Sequence, residues 1–124
     1  MKKVNTTNAP AAIGPYAQAV EHNGILFVSG QIPINPENGE LLQGIEVETH
    51  QVMKNLQAIL AEANTDFSKV IKATIFLKDL NDFATVNEIY GSYFSEGNYP
   101  ARECVQVAKL PKDVSVEISV IAAV

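Results

Sequence analysis

The sequence predicts an α+β domain in which two helices cover one face of a single sheet. Two segments, 70–77 and 114–122, alternate apolar and other residues with the period of two that a half-buried strand shows. Two others, 46–63 and 83–94, place apolar residues three and four apart, as an amphipathic helix does. Turn residues separate all of them, and no linker or internal repeat divides the 124 residues. A chain of this length is expected to form one domain, residues 1–124, with a core that needs no staples.

Residues 5–15 carry Pro10 and Gly14-Pro15, which discourage regular structure. Tyr16 to Val20 is expected to be a short strand. His22-Asn23-Gly24 reads as a hairpin turn, because Asn-Gly adopts left-handed backbone angles at low cost. Ile25 to Ser29 follows as a strand ending at Gly30, and Asn35 to Gly39 is a turn-rich loop. The 46–63 helix presents Val52, Leu56, Ile59, Leu60 and Ala63 on one side, with Glu46 and Glu48 near its positive end. In the 70–77 strand, Ile71, Ala73, Ile75 and Leu77 are expected to share one face. Lys72, Thr74 and Phe76 take the other. Asp79 to Asp82 can cap the second helix, whose stripe is Phe83, Val86, Tyr90 and Phe94. Gly97 to Pro100 closes it. Strands at 102–109 and 114–122 complete the order β-β-α-β-α-β-β.

Two helices leave the second sheet face bare. Thr74, Phe76, Cys104, Ser115 and Glu117 are assigned to that face. Oligomerisation through the sheet would cover it, and a closed internal barrel within one chain is the alternative.

Composition removes several functions. Hydrophobic residues make up 47% and charged residues 19%, which excludes a disordered acidic tail. The net charge of −5 and the absence of a basic stripe argue against nucleic-acid binding. No apolar run is long enough to cross a membrane, and Met1-Lys2-Lys3 precedes polar residues rather than a signal segment. A single cysteine permits neither an internal disulfide nor a multi-cysteine metal cluster. A cytoplasmic protein is the expectation.

Arg102 is the sole arginine beside eight lysines. Where positive charge alone suffices this chain uses lysine, so a planar fork at 102 points to a carboxylate or phosphate held at two points. A structural salt bridge is the competing reading. Glu117 lies inside an apolar and hydroxyl strand, where a carboxylate needs a partner or a task such as holding water. Solvent exposure on an edge strand would also explain it. Cys104 shares strand parity with Arg102, yet His22 and His50 are poor activating bases for it, and a small buried hydrophobe is the plainer role. Tyr16, Ser29 and Asn87 are further candidates that caps, turns or surface would also explain. The scattered glycines, Gly30 among them, form no phosphate loop. No metal-ligand spacing stands out.

Long ordered strings carry a family resemblance. They are Asn8-Ala-Pro-Ala-Ala-Ile-Gly-Pro-Tyr16, Ser29-Gly-Gln-Ile-Pro33, Val70 to Phe83 with Lys-Asp-Leu-Asn-Asp-Phe, Pro100-Ala-Arg-Glu-Cys104 and Leu110-Pro-Lys-Asp113. With Val116-Glu117-Ile118, they make nearly the whole chain resemble the RidA/YjgF/YER057c/UK114 family of reactive intermediate deaminases. The resemblance implies a chorismate-mutase-like fold and a homotrimer with clefts between adjacent subunits. It implies hydrolysis of 2-imino or enamine acids, such as 2-aminoacrylate, 2-iminopropanoate and 2-iminobutanoate, to 2-oxo acids and ammonia. No cofactor or metal is implied. Arg102 matches the carboxylate-holding arginine and Glu117 the glutamate that manages the attacking water. Tyr16, Ser29, Gly30, Asn87 and Cys104 match cleft positions, Cys104 through its backbone. The chain departs from the usual pattern at Glu103, where serine is common, and at Gln106, where glutamate is common. Strand parity turns Glu103 away from Arg102. A regulatory trimer that binds small carboxylates without turnover is the alternative. Nuclease or chaperone-like roles are weaker ones.

Overall fold

A computed structural model describes all residues 1–124. Six strands and two helices run in the order β1 (Lys2–Val4), β2 (Ala19–His22), β3 (Ile25–Gln31), α1 (Ile45–Glu62), β4 (Val70–Leu77), α2 (Phe83–Gly91), β5 (Ala101–Gln106) and β6 (Val116–Ala123). One sheet contains every strand, in the spatial order β1-β2-β3-β6-β4-β5. All neighbours are antiparallel except β4 and β5, which α2 connects in parallel. The two helices lie together against one face, as expected.

The hairpin turn forms where Asn-Gly stands: Asn23 has φ 51° and Gly24 φ 78°, which lets His22 pair with Ile25. The α1 stripe is wholly internal. Val52, Leu56, Ile59 and Leu60 are completely buried against Leu26, Ile75, Ile118 and Val120. Burying such side chains contributes about 1.5–3 kcal/mol each before ordering costs. Glu48 is buried too. Its carboxylate accepts the Gly44 N–H at 3.1 Å and the Ser115 N–H at 2.8 Å, tying the start of α1 to the approach to β6. Asp79 caps the short 3-10 turn Leu80–Asp82 that leads into α2, accepting the Asn81 N–H at 2.9 Å, whereas Asp82, at the N-cap of α2 itself, makes no side-chain cap bond.

Several expectations need correction. Tyr16 lies in the loop before β2 rather than in a strand. Pro15 lacks the N–H a ladder needs, and Gly14 turns the chain at φ 127°. The strand β1 pairs with β2 although its three residues carry no alternation. β3 runs through Gly30 to Gln31, α2 stops at Gly91, and β5 stops at Gln106. Val114 precedes β6. Ile71 does not share the buried face of Ala73, Ile75 and Leu77. A bulge between Val70 and Lys72 sets one extra residue against β6, and Ile71 is left exposed.

Cys104 is also on the other face from the one expected. Parallel pairing sets it beside Ile75 and Arg102 beside Ala73, so both face the helices, and Cys104 packs on the core. The bare face carries Phe27, Thr74, Phe76, Glu117, Ser119 and Ile121 instead, with Glu103 and Val105 of β5. Phe27 and Val105 are about half exposed there.

Candidate active site

Two groups of candidate residues form, one on each face of the sheet. The first surrounds Arg102 at the sheet edge, where β5 meets α2. Asn87 and Tyr90 are three residues apart on α2 and therefore project to the same side. Arg102 Nη1 donates to Asn87 Oδ1 at 2.6 Å. Its guanidinium carbon lies 5.3 Å from the Tyr90 ring centroid and 5.5 Å from that of Phe83. No carboxylate pairs with it. The chain's two ion pairs are Lys72–Glu103 and Lys78–Asp113. A salt-bridge role for Arg102 within the chain is thereby removed. Arg102, Asn87, Tyr90, Tyr99 and Pro100 line an open cavity of about 650 Å³. A cation with unused donors at such a cavity suits a small planar anion.

Cys104 sits two residues along the same strand face. Burial pushes its thiol pKa up, and the nearby Arg102 charge only partly offsets this. It is held as a thiol, which does not suit a nucleophile.

The second group lies on the bare face and the adjoining loop. A bulge in β3 sets Ser29 and Gly30 against a single step of β6. Here the missing side chain of Gly30 matters: a Cβ would come within 2.6 Å of Glu117 Oε2 and 2.9 Å of its Cδ. The Glu117 carboxyl therefore lies directly on the Gly30 backbone. Half-burial raises its pKa above the ordinary glutamate value. Ser29 Oγ donates to the Ala17 carbonyl at 2.6 Å and its N–H to the Gln18 carbonyl at 2.9 Å. These bonds pin the loop that carries the exposed ring of Tyr16. Tyr16, Gly30, Ile13 and Lys112 line a smaller cavity of about 290 Å³.

Arg102, Asn87 and Cys104 are thus brought together, and so are Tyr16, Ser29, Gly30 and Glu117. The two sets are not joined within one chain. Arg102 pairs with Ala73 on the helix face, whereas Glu117 pairs with Phe76 on the opposite face. Phe83, Tyr90 and Tyr99 were not singled out from the sequence. The signal available for Phe83 and Tyr90 was their spacing of four and three from Asn87. No group of three or more His, Cys, Asp or Glu is arranged to hold a metal. No helix is long and apolar enough to cross a membrane.

The family model described as Endoribonuclease L-PSP matches residues 6–124. A 2-iminobutanoate/2-iminopropanoate deaminase of Escherichia coli K12 is 49% identical over 123 residues, covering 98% of this chain and 96% of that protein. The chain belongs to the RidA/YjgF family. Solved RidA/YjgF structures agree. The YjgF gene product of E. coli is 47% identical and superposes with a TM-score of 0.94 over 99% of this chain and 98% of that one. E. coli TdcF, solved with bound serine, is 45% identical with a TM-score of 0.96 over 100% of this chain and 98% of that one. Names within the family include deaminase, endoribonuclease and, for a Lactococcus lactis protein 55% identical over 100% of this chain and 98% of its own length, putative regulator.

The two departures from the usual RidA pattern have local accounts. Glu103 pairs with Lys72 at 3.2 Å on the bare face, away from Arg102. Gln106 Oε1 accepts the Leu80 N–H at 2.8 Å, holding the turn that starts α2.

Proposed function

We propose that this protein hydrolyses reactive 2-imino acids to 2-oxo acids and ammonia, in a site completed by a second copy of the chain. The observation that carries the reading is Arg102, fixed by Asn87 at an open cavity, unpaired with any carboxylate and with further N–H donors unspent. A 2-imino acid offers a matching carboxylate next to its C=N carbon. Two-point binding there fixes the electrophilic carbon, and orientation supplies much of what an already reactive imine needs.

Glu117 supplies the proton handling. As carboxylate it orients a water and accepts a proton as the water oxygen bonds to the imine carbon. Glu117 passes that proton to the imine nitrogen, where the C=N π pair becomes the new N–H bond of a carbinolamine. Glu117 then carries the carbinolamine O–H proton to the same nitrogen, and as the C–O bond becomes C=O the C–N bond breaks and ammonia leaves. A pKa raised above the ordinary glutamate value by burial suits a group that must both take and give a proton. Tyr16, Ser29 and Gly30 shape the cleft on the Glu117 side, and Asn87 and the Cys104 backbone on the Arg102 side. Because the two sets face opposite ways, the reading requires an oligomer, and a homotrimer is the state we assign. The bare face with half-exposed Phe27 and Val105 is the apolar surface such an assembly would cover. A nuclease reading lacks the cationic track a phosphate backbone needs, since the net charge is −5.

The test couples a serine/threonine dehydratase or amino-acid oxidase to semicarbazide, which competes for the released imine. Wild type should suppress semicarbazone formation and Arg102→Ala should not, while Glu117→Gln should lower turnover more than binding. Light scattering should give three chains per particle. A wild type that leaves the semicarbazone signal untouched, yet binds 2-oxo acids through Arg102, would favour a carboxylate-binding regulator instead. The serine bound in TdcF is in keeping with that second reading.

A further inference from the structure

Arg102 does not hold its position through Asn87 alone, and its other two neighbours have no role so far. Phe83 and Tyr90 turn ring faces to the guanidinium carbon at 5.5 and 5.3 Å. Both distances lie within the range in which a cation is attracted by an aromatic face. The two residues are seven apart on α2, two turns of one helix, with Asn87 between them. Tyr90 is almost wholly buried, and Phe83 packs on the core, so neither ring is free to swing. Tyr90 also packs against Phe94 in a tilted pair with centroids 4.8 Å apart, and Phe94 meets Phe67 edge-on at 5.3 Å. The Tyr90 ring is therefore anchored in a larger aromatic cluster, while Phe83 is held by its packing on the core. Arg102 itself stands on an edge strand with an exposed side chain, where an arginine ordinarily samples many rotamers.

We propose that Phe83 and Tyr90 are positioning residues: their rings clamp the Arg102 guanidinium so that its unspent N–H edge is presented, already ordered, to a planar carboxylate. The inference rests on the carboxylate-binding reading of Arg102 given above. It adds what sets the strength of that grip and why arginine stands there. Lysine carries a point charge without a plane to stack or a fork to present. The clamp acts on carboxylate binding, since both rings contact Arg102 and neither contacts the Glu117 of its own chain. A lost clamp therefore appears in KM and in ligand affinity rather than in kcat.

Two measurements test it. The first is calorimetric titration with pyruvate of wild type and the Arg102→Ala, Phe83→Leu, Tyr90→Leu and Tyr90→Phe variants, each checked for fold by circular dichroism. We expect Arg102→Ala to abolish binding. Each leucine variant should weaken it about threefold to thirtyfold, the range a cation–aromatic contact spans. The matching change in the imine assay should fall on KM with kcat kept. Tyr90→Phe retains the ring and should restore wild-type affinity within about twofold. Leucine variants that bind like wild type, while Arg102→Ala does not bind, would overturn the clamp and leave the Arg102 site standing. A wild type that binds no 2-oxo acid would overturn both.

The second measurement needs no variant and so survives any folding defect. Arg102 is the only arginine, so its Nε–H gives one side-chain NMR signal of that kind. A clamped guanidinium puts that signal and the Arg102 δ protons upfield of their free-chain positions, through the ring currents. Free-chain positions would overturn the proposal.

Discussion

Replacing Gly30 by alanine separates the placing of the Glu117 carboxylate from the stability of the fold. The new methyl group would start 2.6 Å from Glu117 Oε2, where ordinary contact begins at 3.4 Å. The carboxylate must therefore retreat by roughly 0.8 Å. It can do so, because the atoms met belong to the far end of a flexible side chain and not to backbone. Gly30 does not occupy the left-handed region, so alanine meets no backbone strain there. Stability should change little or rise, by up to about 1 kcal/mol through a less disordered unfolded chain. Activity should not survive so well. A displacement near 1 Å in a group that positions water costs on the order of a hundredfold in rate. The assay is imine turnover by Gly30→Ala beside its urea midpoint. Full turnover with an intact midpoint would refute the claim that Glu117 must lie against the Gly30 backbone. A midpoint lowered by more than about 2 kcal/mol equivalent would show that backbone, not carboxylate, absorbs the clash.

Three further outcomes follow from the geometry. Tyr90 carries the one buried side-chain polar atom without a partner, and burial pushes its pKa up to about 12. Tyr90→Phe should therefore stabilise the fold by about 1 kcal/mol, a gain of a few degrees in Tm, and a lower Tm would mean that the hydroxyl has a partner in solution. Glu48→Ala strips two backbone N–H groups of a buried charged acceptor, for a loss of about 2–4 kcal/mol and roughly 10 °C in Tm; a loss below about 0.5 kcal/mol would show water replacing the carboxylate. Glu117 has a raised pKa in the folded chain, so the folded state holds its proton more tightly than the unfolded state. Its contribution to stability falls as pH rises from the unfolded to the folded pKa, and turnover that needs the carboxylate rises over the same window. Urea midpoints and kcat for wild type and Glu117→Gln, followed upward in pH from the ordinary glutamate pKa of about 4.3, check both signs. Parallel stability profiles for the two proteins would contradict the raised pKa.

Local signals in the sequence were sufficient for the helices, the Asn23-Gly24 turn and the centre of the sheet, because periodicity and turn chemistry there agree with the tertiary packing. They failed where pairing decides. The Ile71 bulge depends on how β4 meets β6, and three residues of β1 show no pattern until β2 offers its edge. Strand parity correctly put Cys104 with Arg102. It could not say which face the helices cover, and the parallel pairing with β4 turned both residues to the helix side. Within the site, Arg102 was legible because a single arginine among lysines is a chemical choice. Glu117 was legible because a carboxylate interrupts an apolar strand. Tyr90 was hidden by its own apolar spacing, since a ring that contacts a guanidinium and a ring that fills a core follow the same helical period.

The strand order has a consequence for synthesis. β6, the last strand in sequence, lies between β3 and β4 at the middle of the sheet. While a ribosome is still making residues 116–123, the β1-β2-β3 ribbon and the β4-α2-β5 unit have no hydrogen-bonded partner in common. Each presents an open strand edge, and the apolar stripe of α1 lacks half of the floor that will cover it. Final closure therefore waits for the C-terminal segment and joins strands far apart in sequence, a slow kind of step that leaves nascent chains prone to pairing with one another. The segment carrying Glu117 is thus also the one that converts two fragments into a single cooperative sheet.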